Sequence, residues 1–117
     1  MKTIIKLARE KTTLSIVDDQ WGSPTSVKTL SYAIQVIIQH LKQHKNLDVY
    51  GTYHVTSNGK TNWYLYAIKI LDILEFLNVE LKLKKNNLHA IASSQYRQDA
   101  IRPKNSRLNN GKFKKTF

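Results

Sequence analysis

Apolar periodicity switches from helical to extended and back twice within the first eighty residues. That alternation constrains the fold more than any other feature of the chain. Residues 2–10 (KTIIKLARE) place Ile4, Leu7 and Ala8 at i, i+3 and i+4, one apolar helical face beside Ile5. Residues 13–18 (TLSIVD) read as a strand through Leu14, Ile16 and Val17. Gly22 and Pro24 then mark a loop, and Thr25 or Ser26 is placed to cap a helix. The apolar positions of that helix, Val27, Leu30, Ile34, Ile37, Ile38 and Leu41, predict one buried face. Residues 51–57 (GTYHVTS) predict a second strand, and Asn58-Gly59 a turn. Thr61 or Asn62 caps a helix over 62–77 with a face of Tyr64, Ala67, Leu71, Leu74 and Leu77. The order helix, strand, loop, helix, strand, helix predicts an α/β arrangement with parallel strands. Past Glu80 the pattern decays. ELKLKK offers at most one short strand, and an irregular, basic C-terminal third follows.

Two or three strands make a small sheet whose edges need covering. The first helix also opens with no capping residue before it. A length of 117 residues predicts one domain or a piece of one, and these two features lead to the expectation that part of the fold is missing. Without its remaining partners such a piece is expected to fold marginally or to self-associate.

Charge and composition exclude several classes. No cysteine is present, so disulfide frameworks and thiolate metal sites are out. No apolar run approaches the roughly 18 residues of a membrane span. The N-terminus MKTIIKLAREK lacks a secretory signal's apolar core, so a cytoplasmic location is the expectation. The net charge of +11 is unevenly spread. Residues 1–80 hold nine Lys and Arg against seven Asp and Glu, whereas residues 81–117 hold ten against one. The C-terminal third therefore favours anionic partners such as phosphates.

No catalytic or cofactor motif is local to the chain. Glycines 22, 51, 59 and 111 form neither a dinucleotide-binding loop nor a P-loop. Tyr66 and Lys69 are one residue too close for the Tyr-x-x-x-Lys pair of short-chain reductases. His40 and His44 share a helical face without a third ligand and read as solvated polar residues. His54 and His89 belong to no motif. Residues 105–115 (NSRLNNGKFKK) are poor in aromatics and read as a solvated basic tail. In AIRPKNSRL, Pro103 biases Arg102 towards an extended conformation. An arginine so held suits bidentate phosphate binding, and equally it could be an exposed charge before a loop proline.

Three segments in order carry a resemblance. LSIVDDQWGSPT, GTYHVTSNGKTNWYLYA and AIRPKNSRL resemble the C-terminal part of the dTDP-4-dehydrorhamnose reductases, which are extended short-chain dehydrogenase/reductases. The first motif is met by Asp19, Gln20, Trp21, Gly22, Ser23, Pro24 and Thr25. The second is met by Tyr53, His54, Gly59 and Trp63, with Asn62 where the family usually has Ser or Thr. The third is met by Arg102, Pro103, Asn105, Ser106 and Leu108. The lead-in YRQDAI departs from the family, with Ile101 where a second arginine is usual.

The resemblance implies a partial substrate-binding domain over residues 1–117, truncated at both ends, with the Rossmann cofactor domain absent. The family reduces dTDP-4-dehydro-L-rhamnose with NADPH or NADH in dTDP-L-rhamnose synthesis, which feeds lipopolysaccharide O-antigen. Magnesium is associated with it, and no residue of this chain is assignable to either cofactor. Gln20 and Arg102 are implied dTDP-sugar contacts, with Trp21, Asn105 and Ser106 behind them. Asp19, Gly22, Pro24 and Thr25 are implied to shape the loop. The chain is expected to be inactive alone. A Rossmann half encoded separately is an implied partner and a homo-oligomer is left open. A non-catalytic partner role and a basic nucleic-acid-binding module are the alternatives. No membrane partner is expected.

Overall fold

The structure, a computed structural model, describes residues 2–44, 48–96, 100 and 102–117. Its helices are α1 (Lys2–Glu10), α2 (Val27–Gln43), α3 (Trp63–Phe76) and α4 (Gly111–Thr116). Its strands are β1 (Leu14–Val17), β2 (Trp21–Gly22), β3 (Thr61–Asn62) and β4 (Leu88–Ile91). The chain divides into two compact units: Met1–Gly22 with Thr61–Asn105, and Ser23–Lys60 with Ser106–Phe117.

The first unit is α/β. β1 pairs in parallel with β4, Leu14 opposite Leu88 through Val17 opposite Ile91. α3 supplies the buried face, with Ala67, Ile70, Leu71 and Leu74 all buried. Leu71 joins Ala8, Ala67, Leu83 and Leu88 in a core flanked by Ile4, Leu14, Ile16, Tyr64, Ile68 and Leu81. α3 starts where expected, because the Asn62 side chain accepts the Leu65 N–H at 2.7 Å. It ends in a Schellman turn: Asn78 takes a left-handed φ of 53° and the Val79 N–H bonds the Leu74 carbonyl at 2.9 Å. Leu77 lies past that stop and is exposed, so the buried face closes at Leu74.

In the second unit Ser26 caps α2, its hydroxyl accepting the Thr29 N–H at 3.1 Å. α4 lies against residues 52–58. The Asn110 amide accepts from the Thr56 N–H and hydroxyl and donates to the Thr56 carbonyl at 2.6 Å. Lys112 donates to the Thr52 carbonyl and sits over the Tyr53 ring.

Several expectations are corrected. Residues 51–57 form no strand; side chains of the α4 region, rather than a ladder, hold their backbone. The partner of β1 is β4, inside the stretch read as irregular. Residues 80–85 form no strand either; the Lys82 and Leu83 N–H groups bond the Ala8 carbonyl, which sets Leu83 into the core. The apolar face of α2 is not buried within this chain: only Ala33 is, while Val27 is 79% exposed and Leu30, Ile34, Ile38 and Leu41 are also open. The basic tail is partly helical, as α4, and not simply solvated. No described helix is long and apolar enough to cross a membrane.

Candidate functional site

β1 ends at Val17, and the next residues build the candidate site in the first unit. The Asp18 N–H continues the ladder to the Ile91 carbonyl at 3.0 Å, and the Asp18 carbonyl accepts from the Asn62 amide at 2.7 Å. Asp19 turns the other way. Its carboxylate accepts the Ser93 N–H at 3.0 Å and the Ser93 hydroxyl at 2.8 Å, tying the segment after β4 to the segment after β1. The loop-shaping role expected of Asp19 is consistent with this geometry.

Beyond it, the main chain of Trp21 has a partner on each side. Trp21 and Gly22 pair antiparallel with Asn62 and Thr61, and on the opposite edge Trp21 bridges in parallel to Asn105. The Trp21 N–H donates to the Lys104 carbonyl at 2.8 Å. Segments far apart in sequence are thereby fixed side by side, beyond the carboxyl end of a parallel strand, where open α/β sheets place ligands.

Gln20 lies between these two anchors. It is 8% exposed, and its amide nitrogen reaches no acceptor among the described residues. Buried polar groups are ordinarily paired, because an unpaired donor keeps its full desolvation cost of about 1–3 kcal/mol. Asn62, 7% exposed, has both ends of its amide satisfied, by Leu65 and by Asp18. The contrast singles out Gln20 as a buried amide of this seam without a partner among the described residues.

The structure brings Asp19, Gln20, Trp21 and Asn105 together. Arg102 and Pro103 belong to the same unit and are exposed, just before the Lys104 carbonyl that receives Trp21. Ser106, Ser23, Pro24 and Thr25 belong to the second unit. There the Ser23 hydroxyl donates to the Gly59 carbonyl at 2.8 Å, and the Thr25 hydroxyl donates to the Ser23 carbonyl and accepts the Ser57 N–H. Thr25 thus braces the loop while Ser26 starts the helix. Ile101 and residues 97–99 of the divergent lead-in lie outside the described residues. Ser93 carries no local signal in the sequence, and the bond from the Asn62 amide to Asp18 is likewise invisible there, where Asn62 stands only as a cap candidate and a motif position.

His40 is not a solvated residue: its ring meets Phe117 edge-on at 5.2 Å and His44 at 4.7 Å, and Phe117 also meets the Tyr53 ring at a tilt, 5.1 Å between centroids. No group of three His, Asp or Glu among the described residues could hold a metal ion. Gly22 is paired in β2 and Gly59 stands in an exposed turn, so neither begins a phosphate-cradling turn into a helix. No described residue is assigned to NADP or magnesium, and no step through either is placed on this chain.

A family model, the RmlD substrate binding domain, matches residues 1–117. The chain belongs to this family. It is 37% identical to the dTDP-4-dehydrorhamnose reductase of Salmonella typhimurium over 120 residues, covering 99% of this chain and 38% of that enzyme. The Escherichia coli K12 reductase is 36% identical over the same shares. Among solved structures, the reductase of Clostridium acetobutylicum matches with a TM-score of 0.74 and 29% identity, over 98% of this chain and 36% of that one. The Bacillus anthracis reductase, solved in complex with NADP, matches with a TM-score of 0.70 and 32% identity, over 93% and 34%. The chain therefore spans a little over a third of the length of these relatives.

Proposed function

We propose that this chain supplies the sugar-nucleotide-binding part of a dTDP-4-dehydrorhamnose reductase, the enzyme that makes dTDP-L-rhamnose with a nicotinamide cofactor. The observation that carries the reading is Gln20, a buried amide with an unused donor beside the Trp21–Asn105 bridge. A thymine or sugar oxygen would satisfy it. Trp21, the next residue, offers an aromatic surface, and Asn105 is its partner across the bridge. Arg102, exposed before Pro103, is the group for the diphosphate, which its planar guanidinium can bind through paired hydrogen bonds. Asp19 acts indirectly, by fixing the loop through Ser93.

The reductases this chain matches are longer, and the glycine-rich loop and Tyr-x-x-x-Lys pair of the family are absent from these 117 residues. Hydride transfer therefore requires residues outside them, on the same or a separate chain. The two-stranded β1–β4 sheet supports this: among the described residues no third strand covers either outer edge, and such edges are ready-made for pairing.

The test is ligand binding followed by NMR on the isotopically labelled chain. Addition of dTDP or dTDP-L-rhamnose is expected to shift the Gln20 side-chain amide and the Trp21 indole signals, with no NADPH oxidation by the chain alone. Reductase turnover by the 117 residues would refute the division of labour. Shifts confined to the lysines of α4, reproduced by DNA and abolished by salt, would refute the site.

A further inference from the structure

Two Asn-Gly pairs occur in the second unit, Asn58-Gly59 and Asn110-Gly111, and their surroundings are opposite. Such pairs can close a ring, because glycine's lack of a side chain lets its nitrogen approach the preceding side-chain carbonyl carbon. At Asn110 the amide is held by three hydrogen bonds to Thr56, and the Gly111 N–H donates to the Asn109 side chain at 2.7 Å. Gly111 is also the first residue of α4. Nucleophile and electrophile are both restrained there.

Asn58 and Gly59 are exposed in a turn, and Gly59 has a φ of 86° with open space where a side chain would stand. No described protein group accepts the Gly59 N–H. The one contact of the Asn58 amide that the structure defines is Lys114, whose ammonium donates to Oδ1 at 3.1 Å. That oxygen is the atom that becomes negative when the amide carbon is attacked. An ammonium fixed on it both polarises the carbonyl and stabilises the oxyanion, as donors aimed at developing charge do elsewhere.

We propose that Asn58 is a deamidation site whose reaction is assisted by Lys114. Hydroxide removes the Gly59 amide proton; the nitrogen attacks Cγ of Asn58 and a C–N bond forms. The tetrahedral oxyanion, held against Lys114, collapses and breaks the bond to the side-chain nitrogen, which takes one proton from water and leaves as ammonia. A cyclic imide remains. Water adds to either of its carbonyls and opens it to aspartate or isoaspartate. No electrons are gained or lost. In the aspartate product the carboxylate occupies the place of the amide that Lys114 contacts, and with either product the chain's net charge falls by one.

The full chain is incubated at mildly alkaline pH and mapped by peptide mass spectrometry, with isoaspartate read by methyltransferase labelling. Conversion at Asn58 is expected to outrun that at Asn110. Lys114→Gln is expected to slow Asn58 by about twofold to fivefold, the range for a solvent-exposed charge contact. In denaturant the effect of Lys114→Gln should disappear, because the contact depends on the fold. The Asn110 rate serves as the control for loosening of α4 in the variant. Equal rates at the two asparagines in the folded chain, or an Asn58 rate unchanged or raised in Lys114→Gln, would overturn the proposal.

Discussion

Asp19 and Ser93, separated by 74 positions in sequence, share two hydrogen bonds, the carboxylate taking both the backbone N–H and the hydroxyl of the serine. The pair clamps the two segments that leave the parallel strands β1 and β4, so the loop carrying Gln20 has a fixed starting point. Charge-assisted bonds of this kind are stronger than neutral ones. Asp19→Ala removes both acceptors and is expected to cost about 1–2 kcal/mol, as loss of a capping carboxylate does. Urea unfolding should show a lower midpoint with an unchanged slope. The Ser93 amide proton should also exchange faster. A variant as stable as the parent, with Ser93 still protected, would mean that the clamp contributes nothing.

The end of α3 gives a second expectation. Asn78 holds the left-handed position that lets Val79 and Asn78 bond back to Leu74 and Glu75. Glycine suits that backbone without a side-chain clash, and a β-branched residue does not. Asn78→Gly should therefore be neutral or stabilising by a few tenths of a kcal/mol, and Asn78→Val destabilising by about 1–2 kcal/mol. Thermal melts of the two variants separate these outcomes. Equal melting temperatures would contradict the Schellman assignment.

How much of this was readable beforehand depended on whether the stabilising partner was near in sequence. α3 was legible because its period, its Asn62 cap and its buried alanine and leucines are all local. β4 was not. Leu88-His89-Ala90-Ile91 is four residues long, lies in a polar stretch, and is a strand only because β1, 74 positions away, supplies the ladder. Residues 51–57 erred in the opposite sense. Their β-branched and aromatic content suggested a strand, yet the backbone of Thr56 is satisfied by the Asn110 side chain. β-propensity describes fitness for a pleated surface and does not say whether a neighbouring strand exists. The candidate site was legible in its residue types, through the run Asp19 to Thr25. Its assembly was not, because the Trp21–Asn105 bridge and the Ser93 clamp join distant segments.

Lys85 pairs with Asp72 and, at 2.8 Å, with Glu75. The hydrogen bond from Lys85 holds the Asp72 carboxyl below the usual carboxylate range, and the same bond raises the ammonium above its ordinary value. A depressed carboxyl favours the folded state above its unfolded pKa, and that contribution is lost as pH falls through the folded value. A raised ammonium contributes below its unfolded pKa and loses that as pH rises through the folded value. Both groups are exposed, so neutral-pH stability should barely change on Lys85→Met. The Asp72 carboxyl should instead titrate at higher pH in that variant, followed by its side-chain carbon shift in NMR. An unmoved titration would show that the ion pair is absent in solution.

Gln20 makes the sharpest demand, because stability and binding should move in opposite directions. Its amide nitrogen has no partner among the described residues, whereas both ends of the equally buried Asn62 amide are engaged. If a ligand oxygen completes that donor, the unliganded chain carries an unpaired polar group of about 1–3 kcal/mol. Gln20→Leu keeps a side chain of comparable size and removes the polar group. The variant should then unfold at higher denaturant concentration while losing affinity for dTDP-sugar, the stability–function opposition expected of binding sites. Gln20→Glu should lose affinity without the gain in stability, since a buried carboxylate is costlier still. A bound water that fills the site permanently would give the reverse result: Gln20→Leu would be destabilised, because the water would lose its partner. Unfolding curves and dTDP titrations on the same two variants therefore decide whether this amide is kept open for a ligand.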